Sequence, residues 1–132
     1  MKENKMKSWK EVRDYITANY EISEYYEEYD TITAMVFLKN GRKQLTVVTR
    51  REKMIIFVSV IGDINKNDIK DALCDLAEYR YGRIFCKEDG ECGVAHSEEL
   101  ENLTEEKIDE ILKTVAVCAD EMEEKYICDD VY

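Results

Sequence analysis

Proline is absent from this chain, and glycine, histidine and tryptophan are scarce: five, one and one in 132 residues. Without proline no strand edge is blocked by a missing N–H, so the edges of any sheet stay open to pairing. The five glycines, at 41, 62, 82, 90 and 93, never fall into GxGxxG or GxxxxGK. That excludes the backbone cradles that hold dinucleotides and nucleoside triphosphates. Long apolar runs are also missing. The longest, Met54 to Ile61, is about a strand long and well short of the ~20 residues of a membrane-spanning helix. The opening MKENKMKSWKEV lacks the apolar stretch of a signal peptide. Five cysteines, at 74, 86, 92, 118 and 128, contain no CxxC pair. Free thiols in a reducing cytoplasm are the expectation, with no membrane association.

The chemistry-bearing residues do not assemble into a recognisable centre. The single histidine, His96, stands in HSEE, and on a strand His96 and Ser97 point to opposite faces, so they cannot act as base and nucleophile. Asp63-Ile64-Asn65-Lys66-Asn67 resembles the start of a calcium loop, but Asp68 stands where the loop needs glycine and Cys74 where it needs a closing glutamate. Asp or Asn before a helix is ordinary capping chemistry. Cys86, Cys92 and His96 match no structural zinc spacing. A Cys86–Cys92 disulfide depends on the turn between them. A two-residue Asp89-Gly90 turn puts the cysteines on opposite faces, and a three-residue turn with a bulge puts them opposite each other; the compartment argues against the bond in either case. No metal, no cofactor and no catalytic residue is expected.

Charge is plentiful but uneven. Thirty acids face 19 bases, a net charge of −11, which disfavours a nucleic-acid partner because binding would bring like charges together. Residues 1–97 hold 17 acids and 16 bases, and residues 98–132 hold 13 acids and 3 bases. Nearly all the net charge therefore sits in the last quarter. Upstream, Lys39, Arg42 and Lys43 flank one turn and Arg50, Arg51 and Lys53 the next. Glu21–Asp30 (EISEYYEEYD) sets three tyrosines among five acids. Tyrosine offers broad contact area with a polar tip, so Tyr25, Tyr26 and Tyr29 are the candidate partner-binding residues.

Periodicity supplies the elements. Ser8 with Glu11 reads as a capping box, and Trp9, Val12, Ile16 and Tyr20 make a helical stripe over about 9–20. Thr31–Lys39 alternates, Asn40-Gly41 suits a two-residue type I′ turn, and the return strand is about Lys43–Thr49. Met54–Ile61 is apolar on both faces, as in a central strand. A second helix over about 67–80 and a hairpin, Gly82–Lys87 with Glu91–Ser97, follow. Thr104 caps a final helix with Glu105 and Glu106 in its first turn. That helix carries a stripe from Ile108 to Tyr126 and i,i+4 pairs Asp109–Lys113 and Glu121–Lys125. The expected fold is α+β in the order α-β-β-β-α-β-β-α: one domain, core about 8–126, whose five-stranded antiparallel sheet is packed on one face by the first and last helices.

This layout resembles the type III secretion chaperone-like fold and, within it, the YbjN family. The likeness is carried by the hairpin with its acidic Asp89-Gly90 turn, the helix start Leu103-Thr104-Glu105-Glu106, the stripe Ile108/Ile111/Leu112, and Ala119-Asp120 near the helix end. The resemblance implies a non-enzymatic protein-binding domain, chaperone-like and homodimeric, that holds an unfolded segment of a protein or peptide partner. The alternative it implies is a YbjN-like regulatory or adaptor domain with a folded partner. An enzyme with an unrecognised site is a third class.

Overall fold

The structure is a computed structural model that describes residues 5–77, 79 and 81–127. Ser8 opens helix α1 (Trp9–Asn19), its side-chain oxygen accepting from the Glu11 N–H at 3.3 Å. The Glu11 carboxylate accepts from the N–H of Lys7 at 3.1 Å, one residue earlier than a capping box requires. After α1 comes a strand the periodicity did not announce, β1 (Glu21–Tyr26). Its residues are exposed apart from half-buried Ile22, and a bulge at Ser23 interrupts the register. An edge strand held by backbone bonds leaves no apolar stripe in the sequence. The order is therefore α-β-β-β-β-α-β-β-α, and the sheet has six strands rather than five.

β2 (Thr31–Phe37), β3 (Lys43–Arg51) and β4 (Met54–Asp63) continue the meander. Helix α2 (Ile69–Leu76) follows, shorter than 67–80 because a 3₁₀ turn occupies Lys66–Asp68. The Asn65 side chain accepts from the Asn67 N–H at 3.0 Å, the capping role expected of that segment. Glu78 and Arg80, placed at the end of the expected helix, lie outside the described residues. β5 (Arg83–Cys86) and β6 (Glu91–Glu99) form the second hairpin, and α3 (Glu105–Tyr126) closes the fold. The strands run antiparallel in the order β1-β2-β3-β4-β6-β5.

Both glycine hairpins use a three-residue turn, which corrects the type I′ expectation at Asn40-Gly41. Leu38 donates to the Arg42 carbonyl at 2.8 Å and Gly41 to Leu38 at 3.0 Å; Lys87 donates to Glu91 at 2.8 Å and Gly90 to Lys87 at 2.9 Å. Gly41 and Gly90 take φ of 84° and 98°, the left-handed bulge residue of this turn. The Asn40 and Asp89 side chains each accept from the N–H two residues on, at 2.9 Å, and set the bend. The second turn has a covalent consequence. It brings Cys86 directly opposite Cys92 at a Cα separation of 4.1 Å, and the two form a disulfide. The expectation of free thiols, drawn from compartment, fails there: of the two turns weighed the three-residue one forms, and it sets the cysteines opposite each other. Cys74 and Cys118 are free, and Cys128 lies outside the described residues.

The core lies between one sheet face and the helices. Ile32, Ala34, Val48, Ile55, Phe57 and Val94 are fully buried against Ile108, Ile111, Leu112 and Val115 of α3. Val12 and Ile16 of α1 complete the layer. Thr104 caps α3, its hydroxyl accepting from the Lys107 N–H at 3.1 Å. The chain before α1 is tied there too: the Met6 N–H donates to the Leu103 carbonyl at 2.7 Å. Two of the charges expected in i,i+4 pairs on α3 reach other elements. Lys125 bonds Asp75 of α2 at 2.6 Å, and Asp109 accepts from the α1 side.

Candidate functional site

A groove of about 890 Å³ opens where the end of α1, the β2–β3 hairpin and α3 meet. It exists because β1 starts at Glu21, opposite Met35, while β2 runs on to Phe37. The Leu38 N–H points across the hairpin to Arg42. Alternate residues of a strand direct their backbone groups to opposite sides, so the N–H and C=O of Phe37 face the groove, along the line that β1 has not yet entered. α3 supplies the other wall with Asp109, Lys113, Val117 and Glu121, four-residue steps that share one helix face.

Two carboxylates anchor that wall. Asp109 accepts from the Tyr15 and Tyr20 hydroxyls at 2.6 and 2.7 Å. Burial, and then these bonds to Asp109, push the Tyr15 phenol up to about 12 and raise that of Tyr20 for the same reasons. Both phenols are therefore protonated donors at neutral pH. Asp120 is 3% exposed and receives Arg42 Nε at 2.8 Å, Asn40 Nδ2 at 3.2 Å and Gln44 Nε2 at 3.5 Å. Arg42 also approaches Glu123 at 4.0 Å and Glu124 at 3.7 Å. The hairpin is thus fixed to α3 by a buried charge, which holds the groove open. Five carboxylate and two lysine side chains line it, so an extended chain bearing cations suits it.

The second surface is the sheet face that carries no helix. One cross-strand row spans all six strands: Glu24, Thr33, Val47, Val58, Ala95 and Arg83. Beside it stand Leu45 at 45% and Val60 at 43% exposure, and Phe37 at 64%. Phe85 folds over Gly93, where a Cβ would come within 2.7 Å of its ring.

Tyr25, Tyr26 and Tyr29 are 42%, 49% and 70% exposed, at the end of β1 and in the 3₁₀ turn that follows. They lie a strand length, ~17 Å, from the groove end of β1. The Tyr25 hydroxyl accepts from Arg13 Nη1 at 3.1 Å, and the Tyr26 hydroxyl bonds Glu24. The structure therefore does not bring the tyrosines and the groove together. Groove residues Asp109, Val117 and Asp120 were not nominated from sequence, since on α3 they read as one more acidic or apolar position.

The cysteines and His96 do not converge on a ligand. His96 packs edge-on against Tyr81, centroids 4.8 Å apart, and its Nε2 lies 3.2 Å from Glu98. Burial alone would raise the Glu98 carboxyl, but bonds from His96 and Lys107 outweigh it and hold the group below its ordinary value. Burial pushes the Cys118 thiol up to about 12. Among the described residues no three His, Cys, Asp or Glu side chains are grouped to hold a metal ion, and no helix is long and apolar enough to cross a membrane.

One six-stranded antiparallel sheet with its helices on one side is the type III secretion chaperone-like fold, the architecture shared with YbjN. A chain of the HopA1–SchA chaperone–effector complex matches with a TM-score of 0.65 at 8% identity, covering 88% of this chain and 94% of that one. YbjN from E. coli, described as a candidate transcription regulator, matches with a TM-score of 0.58 at 9% identity, covering 90% and 93%. No protein-family model matches the chain, and neither does any curated protein. Likeness at this identity is one of fold.

Proposed function

We propose that this chain is a non-enzymatic protein-binding domain, chaperone-like in that it holds an extended segment of another protein. In this reading it is a single domain that works as a homodimer in the cytoplasm. The observation that carries the reading is the groove beside β2: a strand edge with backbone groups of Phe37 turned outward, an apolar floor and a mostly acidic wall. An extended peptide laid there continues the line of β1, exchanges backbone hydrogen bonds with Phe37, and sets basic side chains against Glu121 and Glu124. The chaperone–effector complex among the structural neighbours supports a protein partner.

Titration with short peptides that alternate basic and apolar residues tests this. Saturable binding is expected, with slowed hydrogen exchange at the Phe37 amide and about a tenfold loss of affinity in Glu121→Lys/Glu124→Lys. Peptides that neither bind nor protect Phe37 would remove the reading. A second reading, a regulatory adaptor with a folded partner, is favoured by the exposure of Tyr25, Tyr26 and Tyr29. Loss of such a partner on Tyr29→Ala, with peptide binding absent, would select it.

A further inference from the structure

The row that crosses the helix-free face has an unusual order. It begins with an acid on one edge strand, Glu24 on β1, and ends with a base on the other, Arg83 on β5. Between them stand Thr33, Val47, Val58 and Ala95, none of them charged. Both end residues are exposed. Reversed, the row is complementary to itself: Glu24 falls on Arg83, Thr33 on Ala95 and Val47 on Val58.

We propose that the helix-free sheet face binds a second copy of this chain face to face, about a two-fold axis that runs parallel to the strands between β3 and β4. This rests on the homodimer part of the proposed function and names its surface. A two-fold axis placed there is the one that reverses each row onto itself, as a closed, isologous contact requires. Each dimer then gains two Glu24–Arg83 pairs at its rims. Leu45 and Val60, the exposed aliphatic residues at the middle of the face, stack across the axis on their counterparts. Six strands spaced ~4.8 Å and overlapping over ~7 residues present about 700 Å² per partner. Standard stable interfaces bury about 600–1,000 Å² per partner, so the face falls within the range that carries a dimer.

Net charge does not bar a second copy packed this way. The chain carries −11, with 13 acids and 3 bases in residues 98–132, which include α3. Face-to-face packing turns the two α3 helices outward, on opposite sides of two sheets ~10 Å apart. That separation already exceeds the Debye length of ~8 Å at physiological salt. The groove beside β2, bounded by α3, stays on the outer side and remains open to a peptide.

Light scattering on the full chain at micromolar concentration is the first measurement, with a mass of twice 15.5 kDa expected. Arg83→Glu sets like charges against Glu24 at both rims and should raise the dimer dissociation constant about tenfold. Glu24→Arg/Arg83→Glu, which exchanges the ends of the row, should restore it. Val58→Asp should give monomer with the far-ultraviolet circular dichroism of the wild type. Both rim substitutions lie at exposed positions, so the exchange test stands even if Val58→Asp fails to fold. A monomeric wild type would overturn both this inference and the homodimer reading. A dimer whose constant is unmoved by Arg83→Glu, or not restored by the exchange, would overturn the inference alone and leave the homodimer to another surface. So would a dimer that survives Val58→Asp while peptide binding is lost, since the face would then belong to the peptide.

Discussion

The two faces of the sheet are built from the same strands and have opposite fates. On one, Ile32, Val48, Ile55 and Phe57 vanish under α1 and α3; on the other, their immediate neighbours Val47, Ile56 and Val58 remain partly open. β4 makes the contrast sharpest, because Met54 to Ile61 is apolar at every position but Ser59 and yet only alternate residues are sealed. A central strand apolar on both sides needs cover on both. Helices provide one cover, and among the described residues no helix provides the other. The difference between the sealed face and the open one lies not in composition but in which face the helices occupy.

The contrast can be broken most severely at Phe57. Phe57→Ala should cost about 3–5 kcal/mol in denaturant unfolding, while Val58→Ala next to it should cost about 1 kcal/mol; equal losses would mean that both faces are covered in the folded monomer. Gly93→Ala probes a place where the open face is covered by its own chain. The new methyl meets the Phe85 ring at 2.7 Å and the Ser59 carbonyl at 2.9 Å. A loss of about 1–3 kcal/mol is expected as Phe85 is displaced, and trimming Phe85 in the same chain should recover part of it.

The helix side can be loosened by pH. The Tyr15 phenol sits at about 12 in the folded protein, through burial and Asp109, against an ordinary value near 10. The folded state therefore holds this proton more tightly than the unfolded one. Its stabilisation is complete below pH ~10 and lost as the pH rises through about 12, and Tyr20 shifts in the same direction. Thermal melts should fall over that window, and Tyr15→Phe should flatten the fall. The smallest effect is expected from Thr104→Ala, which removes the α3 cap and should cost about 1 kcal/mol without changing the mass in solution.

Much of this was legible in the sequence, and the reasons for the misses are local. The stripes of α1 and α3 and the alternation of β2 reflect burial, and burial writes a period. β1 is invisible to that signal because Glu21, Glu24, Tyr25 and Tyr26 hold their place by backbone pairing. The hairpin turns were recognised from Asn40-Gly41 and Asp89-Gly90, but the first was read one residue short and the second left open between two and three residues, the choice that decides whether Cys86 meets Cys92. Tyr25, Tyr26 and Tyr29 were singled out as tyrosines clustered among acids, and their exposure is read only from the structure. The groove was not, because it joins residues 19–21, 35–40 and 109–124. The row from Glu24 to Arg83 needs the register of five strand pairings, which no pattern in one chain supplies.

The Asn40-Gly41 turn also gives the protein a chemical clock. An asparagine followed by glycine is prone to attack by the glycine backbone nitrogen on the side-chain amide carbon, with ammonia leaving and water then opening the ring to a carboxylate. Here that amide donates to Asp120 at 3.2 Å, so its loss sets two carboxylates face to face at the joint that fixes the hairpin to α3. The bond from Gly41 N–H to Leu38 at 3.0 Å holds the attacking nitrogen back while the turn is formed. Ageing should therefore begin in molecules whose hairpin has opened. Stored samples would accumulate an acidic species on ion exchange, and Asn40→Ser should abolish it.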